Sequence, residues 1–513
     1  MRREPARLSR VAGGVALLCL GLACGTASAD TWYVRNNARV DVLGTNNVNL
    51  ASDADKKSDV VVTLTPQLQA TGIGANYRFQ GDIGFDGVTY LGRSEGDHVY
   101  PRVRLGLNSE LVDRLVYLDV AADADTTAQS AFGALGDGTN TVNRTTFTRE
   151  RISPYIRREL SSRSVFLARS DNSWTQTGNA VGTGQGRNAR VRADIVRYEL
   201  LPQPFGLQAQ WADADTHSND TTLGSIGDAT FSAERLSLLW GPSQEFYVGI
   251  TGGRDHAKYG TTDTDNTLSG VLFRWQPTLR TDLAGSVEKR FFGTGWSGRF
   301  THRSPFVALS ASTSRDAATY ASQLSSVSLD SSVASLLDAS LSTRITDPIE
   351  RQQAVQEALR QRSLPSTQLG AATLATLRPR LVQLSDLSAT FLGTRHTVVL
   401  RVFSSTTTDL LSTGETADVA TSSNARQRGG SVTVSRRLTP ETTLDLSLFH
   451  TRVQGFETTA GRRTVNKSYR LGMSHNLSAR TTLAAGLRRR LIDSTVVVPA
   501  QETAVYIGAL HRF

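Results

Sequence analysis

The chain is written in a two-residue rhythm. In SDVVVTLTPQLQA, Val60, Val62, Leu64, Leu68 and Ala70 fall on one face and Val61, Thr63, Thr65, Gln67 and Gln69 on the other. Further on, Tyr77, Phe79, Ile83 and Phe85 oppose Arg78, Gln80, Asp82 and Asp86. Near the end, Leu444, Leu446 and Leu448 oppose Asp445 and Ser447, and Tyr469, Leu471 and Met473 oppose Arg470 and Ser474. VRLGLN, FVALSAS and HTVVLRVF repeat the pattern. Side chains alternate across a strand, and none of these stretches shows the 3.6-residue period of a helix. The rhythm runs to the last residue: in AVYIGALHRF, Val505, Ile507, Ala509, His511 and Phe513 share a face. A strand that continues to the final ring predicts a sheet closed by pairing its last member with another.

The connections alternate as well. Short turns such as LNSELVDR, RELSSRS, WGPSQEF, WQPTLRTD, LTPET and LSART are separated by longer polar loops, with FFGTG the main exception. This predicts an all-β fold: a single large transmembrane antiparallel β-barrel of about 22 strands, short turns on the periplasmic side and long loops outside. Trp240 and Trp275 each precede a short turn, as an aromatic girdle at that interface would require. Residues 315–385 break the rhythm. Asp347 is a good N-cap, Pro348 suits the first helical position, Glu350 completes a capping-box arrangement and Pro365 closes the segment, so a helix is expected over 348–362. The barrel then carries one helix-containing long loop, placed outside by the parity of turns. It either folds into the lumen as a constriction, with Asp347, Glu350, Arg351 and Arg360 as its polar residues, or decorates the surface.

The N-terminus changes the compartment. Arg2, Arg3, Arg7 and Arg10 precede the short apolar run VAGGVALLCLGLA and the cleavage pattern Ala27-Ser28-Ala29. Residues 1–29 therefore read as a secretory signal peptide and 30–513 as the barrel. Cys19 and Cys24 both lie in the signal, which excludes a disulfide scaffold or thiolate metal site in the exported chain. No later apolar stretch is long enough for a helical span. With 43 Gly, 14 Pro and 39% hydrophobic residues, the composition suits strands that are apolar on one side only. A plug-bearing transporter is disfavoured, because little chain precedes the first strands.

Catalytic motifs are nearly absent. GTGWSG (293–298) matches G-x-G-x-x-G but sits between strand patterns and reads as a hairpin turn. The eight His are scattered, and the acidic runs DADTHSND (213–220) and TDTDN (262–266) read as solvated loop tips rather than calcium sites. No cofactor, no metal and no enzymatic activity are expected. The informative surface is the inward face. If apolar residues face lipid, the lumen holds Arg78, Asp82, Arg102, Arg104, Arg190, Arg192, Asp194, Asp445, Arg470, Arg488 and Arg490. With the formal net charge at +9, such a lumen would favour anionic or polyhydroxylated solutes, unless its charges only cross-brace the wall. Arg489, on the nominal lipid face near the outer rim, is a candidate for lipopolysaccharide phosphates. Nucleic acid is not an expected partner, since the basic residues are dispersed.

Several stretches carry a family resemblance: TNNVNLASDADKKSDVVVTLTPQL, ELVDRLVYLDVAADAD, FTHRSPFVALSASTSRD, DPIERQQAVQEALRQRSLP, SVTVSRRLTPETTLDLSL and YRLGMSHNLSARTTLAAGLRRR. They resemble outer-membrane β-barrel proteins associated with exosortase (PEP-CTERM) systems and exopolysaccharide gene clusters. The chain has Asn46-Asn47 where that group often has Asp-Asn. The resemblance implies residence in the outer membrane of a Gram-negative bacterium and a channel for secreted polysaccharide, with periplasmic export components as partners. It also implies that the terminal Phe513 is the signal read by the barrel-assembly machinery. It brings no catalytic residues. A general diffusion porin for small anionic solutes and a barrel enzyme acting on lipid or polysaccharide remain the alternatives.

Overall fold

The computed structural model describes residues 31–128, 130–134, 143–178, 187–218, 228–318, 333–361, 379–410 and 424–513. The predicted signal peptide and its cleavage site lie outside the described residues, as does Pro365. The strands are β1 (Thr31–Thr45), β2 (Asp59–Ile73), β3 (Tyr77–Tyr90), β4 (His98–Val112), β5 (Val116–Ala128), β6 (Arg144–Ser161), β7 (Ser164–Thr177), β8 (Arg187–Leu200), β9 (Phe205–Ser218), β10 (Ala229–Trp240) and β11 (Phe246–Tyr259). They continue as β12 (Thr262–Thr278), β13 (Thr281–Arg290), β14 (Gly293–Arg303), β15 (Val307–Ala318), β16 (Arg380–Leu392), β17 (His396–Asp409), β18 (Ala425–Arg437), β19 (Thr442–Gly455), β20 (Arg463–Asn476), β21 (Thr481–Ser494) and β22 (Ala500–Arg512). Two helices, α1 (Val333–Leu341) and α2 (Pro348–Gln361), lie between β15 and β16.

All 22 strands form one sheet. Each pairs antiparallel with its sequence neighbours, and β22 pairs with β1, from Asn37 opposite Arg512 to Thr45 opposite Ala504. The N–H of Phe513 donates to the carbonyl of Asn36 at 3.1 Å, so the last residue is held in the closing seam. Closure removes the unpaired edges that would otherwise seek another chain.

Directly opposed residues share a face, so the register sorts the wall into two surfaces. Outward stand Val34, Leu64, Phe85, Leu238, Val271 and Ile507, all exposed and apolar. Phe205 opposes Trp240 and Phe246 opposes Trp275, giving an outward aromatic row at the short-turn end of β9–β12. Trp240 is 53% and Trp275 49% exposed. Inward stand hydroxyls, amides and charges. Gly472 and Gly486 adjoin the inward Tyr506: a Cβ at either would come within 2.4 Å of its hydroxyl, so the ring needs glycine beside it.

At the level of the elements the structure corrects four sequence expectations. The long loop is shorter at both ends than 315–385, because β15 runs to Ala318 and β16 begins at Arg380. It holds two helices among the described residues rather than one. GTGWSG lies wholly in β14: the turn falls at Phe291-Phe292, and Gly293 has φ +97°. Asp213, Asp215, Asp263 and Asp265 sit in β9 and β12 rather than at loop tips.

Candidate functional site: the lumen and its inner segments

The inner wall is built from ion pairs that cross strands. On β5–β7, Arg149 donates to Asp123 at 2.6 Å, and Arg169 bridges Asp119 at 2.8 Å and Asp171 at 2.9 Å. The Arg169 guanidinium lies 5.0 Å above the Tyr155 ring, which stacks on Tyr117 with centroids 5.0 Å apart. Around β10–β15, Arg290 holds Asp255 at 2.7 Å and reaches Asp316 at 3.4 Å, while Arg235 holds Glu288 at 3.0 Å. Arg401 pairs with Asp386 at 2.8 Å on β16–β17. Charges placed this way neutralise one another and fix the wall.

Most residues expected in the lumen are there. Asp82 accepts from both Gln67 (2.6 Å) and Gln69 (3.3 Å), and Arg104 stands opposite Asp82 on one side and Asp123 on the other. Arg102 reaches Asp86 at 3.4 Å, and Arg78 shares the same face. Arg470 donates to the Tyr506 hydroxyl at 2.8 Å with its guanidinium 4.5 Å over that ring. Arg488 donates to Glu502 at 2.7 Å and Arg490 lies 3.7 Å from the same carboxylate, all three buried. Asp445 is buried and inward on β19.

Arg190, Arg192 and Asp194 are not. They oppose Trp174, Asn172 and Ser170 on one side and His217, Asp215 and Asp213 on the other. Followed across β9 and β10, that face leads to Leu236, Leu238 and Trp240, which is the outer wall. Val191, with 3% exposure, points inward instead. The rule that apolar residues face outward holds only where the wall meets lipid. Near the long-loop rim of β8 and β9 the outer wall is polar, and the inward Ala189 and Val191 of β8 are buried.

Two segments enter the barrel. The first is the hairpin of α1 and α2. Val333, Leu337, Val355 and Leu359 pack together and onto Val399, an inward residue of β17. The Ser340 hydroxyl donates to the carbonyl of Ser304 at 3.1 Å, in the β14–β15 short turn. From α2, Glu357 meets Arg512 of β22 at 3.8 Å and Gln352 meets Gln80 of β3 at 3.4 Å, on a different part of the ring. The hairpin thus bridges separate stretches of inner wall near the short-turn end. Asp347 caps α2 by accepting the Glu350 N–H at 2.9 Å. Arg351 ties the helices by donating to Asp338 at 2.9 Å and to the Ile345 carbonyl at 3.0 Å. The side chain of Arg360 lies outside the described residues.

The second segment is 130–134, between β5 and β6. Ala131 and Phe132 pack on Ala425 and Val453, Ala134 packs on Ile492 and Ala500, and Thr464 donates to the Phe132 carbonyl at 2.8 Å. This segment crosses the long-loop mouth to the inner wall of β18–β22. Beside it, the buried Asn47 donates to the carbonyls of Ala51 (2.7 Å) and Gln501 (2.9 Å) and accepts from the Ala51 N–H (2.9 Å). Asn46 accepts the Thr503 N–H at 2.8 Å. In this chain the Asn pair stitches the β1–β2 loop to β22.

Sequence reasoning missed α1, the Arg290 hub and the inward crossing of 130–134. The first had a readable signal: Val333, Leu336, Leu337 and Ser340 recur at helical spacing and are buried. The other two join residues too distant in sequence to have one.

A closed sheet, apolar outside and polar within, defines a membrane-spanning β-barrel: closure satisfies the backbone internally, which the interior of a bilayer demands. Among the described residues no helix is long and apolar enough to cross a membrane. No family model and no curated protein matches the chain. Among solved structures it is similar to the FrpB iron transporter of Neisseria meningitidis (F5-1 variant, apoprotein form), at 9% identity and TM-score 0.48 over 93% of this chain and 81% of that one. It is similar to a mutant of the ferric enterobactin receptor PfeA of Pseudomonas aeruginosa, at 9% identity and TM-score 0.45 over 93% and 80%. OccK2 (OpdF) of Pseudomonas aeruginosa gives 10% identity and TM-score 0.35 over 94% and 98%. At such scores these likenesses carry no argument about cargo.

Proposed function

We propose that the chain is a gated channel in the outer membrane of a Gram-negative cell, through which a secreted polysaccharide leaves. The observation that carries this reading is the α1–α2 hairpin lodged against the inner wall. Bridged between β14–β17 and β3 with β22, the hairpin stands where its displacement would widen the path through the barrel. The wall supports it. Arg149, Arg169, Arg235, Arg290 and Arg401 are each countered by Asp or Glu, so over β5–β7 and β10–β17 the wall does not present the uncompensated basic surface that selects small anions. Around β16–β19 the inward positions carry hydroxyls such as Ser388, Thr390, Ser405, Thr407, Thr433 and Ser435. They are buried in this structure, so a polyhydroxylated chain meets them only where movement of the gate uncovers the wall, and there exchanges hydrogen bonds with them at little net cost.

Planar-bilayer recording tests the gate. The intact protein should show small, infrequent conductance, and removal of residues 333–361 should raise it severalfold. Cells carrying that deletion should lose regulated surface polysaccharide. A large, anion-selective conductance that the deletion leaves unchanged overturns the gated reading in favour of a diffusion porin. Purified protein that turns over lipid or polysaccharide overturns it in favour of an enzyme.

A further inference from the structure

The outer wall is not uniform around the ring. On β1–β3 the outward positions stay apolar almost to the long-loop rim: Val40 and Val42 on β1, Val60 and Val62 on β2, and Ile83 and Phe85 on β3. On β18–β21 the outward positions split. Leu446, Leu448, Leu471 and Leu487 form an apolar lower half. Above it the outward face of the same strands carries Arg426, Arg428, Arg452, Arg463, Lys467 and Arg489, all exposed. Asp493, 3.1 Å from Arg463, is the one outward carboxylate in these four strands.

The register makes this more than a count. Arg428 stands directly opposite Arg452. Opposed side chains in an antiparallel pair have Cβ atoms about 5 Å apart, and like charges there are destabilising. The chain tolerates that repulsion in a patch that lies immediately above Leu448 and Tyr469, with Arg489 directly opposite Tyr469 at its lower edge. The outward wall of β8–β12 makes the contrast, since there Arg192 pairs with Asp194 at 2.8 Å and His256 with Asp265 at 2.9 Å.

We propose that the outward face of β18–β21 binds the phosphorylated headgroup of an outer-leaflet lipid through Arg428, Arg452, Lys467 and Arg489, with the acyl chains lying against Leu446, Leu448 and Leu471. Arg forks suit phosphate oxygens and form charge-assisted hydrogen bonds to them. An anion at this level removes the Arg428–Arg452 repulsion. The immediate junction with an apolar surface specifies a ligand that is anionic and greasy at once, which a free anion is not. The inference rests on the membrane-spanning reading above and adds a lipid site to its outer wall.

The test reconstitutes the full-length protein in nanodiscs of phosphatidylcholine doped with a bis-phosphorylated glycolipid or its dephosphorylated form. Lipid retained after detergent release is measured by native mass spectrometry. The protein should retain the phosphorylated form about tenfold more than the other, a difference of one decade in affinity. The triple variant R428Q/R452Q/K467Q, checked for unchanged β-sheet circular dichroism, should lose that preference. R192Q/R254Q/K258Q, on the outer wall of β8–β11, should keep it. Equal retention of the two lipids, or a triple variant that retains as much as the native protein, overturns the site. Full competition by millimolar inorganic phosphate overturns the lipid as its ligand. Failure to enter nanodiscs at all strikes the membrane-spanning reading instead.

Discussion

The inner wall of β10–β15 and the outer wall of β18–β21 both carry charge, and they handle it in opposite ways. Inside, Arg290 sits among Asp255, Glu288 and Asp316, with Arg290 9% and Asp255 1% exposed. Outside, Arg428 faces Arg452, and one carboxylate serves the whole patch. Buried charge has to be paired because the low dielectric makes an isolated ion costly. Exposed charge is screened and can be left unmatched until a ligand arrives. The difference separates charges that hold the barrel together from charges open to a partner. It also moves the recognition surface away from the inward Arg residues that the sequence singled out.

Three changes sharpen this comparison. The largest effect belongs to Arg290→Ala, which leaves Asp255 buried without its cation. It should cost about 3 kcal/mol or more, read as a lower urea midpoint for unfolding from detergent micelles, and Arg290→Lys should recover part of it. Arg452→Glu should have the opposite sign, stabilising the protein by about 0.5 kcal/mol in neutral detergent by turning a like-charge cross-strand pair into an attractive one. Asp493→Asn should be the smallest, costing a few tenths of a kcal/mol at most, because it removes an exposed pair. High salt provides the common control. At 1 M the Debye length falls to about 3 Å, so the Arg452 and Asp493 effects should shrink towards zero while the Arg290 effect persists. An Arg452→Glu protein that is destabilised, or an Arg290→Ala protein that unfolds like its parent, removes the distinction.

How much was legible follows the same divide. Strands such as β2, β3, β19 and β20 announce both their existence and their sidedness, because Leu64, Phe79, Leu446 and Leu471 cross lipid and their partners do not. The α2 helix announced itself through Asp347 and Pro348, and its observed span, Pro348–Gln361, matches the expected one to a residue at the C-terminal end. In β8 the same reasoning inverted the faces. Alternation shows that Arg190 and Val191 point opposite ways, but it does not say which way is out once the strand has risen past the lipid. The acidic runs at 213–220 and 262–266 misled for a related reason: outward aspartates above the apolar belt look like loop in a one-dimensional reading.

What the sequence determined by itself was therefore the local periodicity: the strand count, the alternation of short and long connections, the capped helix, and a last strand that had to pair. These depend on neighbours within a few residues, and period two is imprinted on every strand that has one wet and one dry side. The tertiary structure alone decided which side that is at each height. It decided that Arg290 gathers three acids from β11, β13 and β15, that Phe132 crosses the mouth to Ala425 and Val453, and that Glu357 meets Arg512. Those outcomes are set by register, shear and closure, which place residues hundreds of positions apart on one surface. No pattern read along the chain encodes them, because their energy comes from partners that only the closed ring brings within reach.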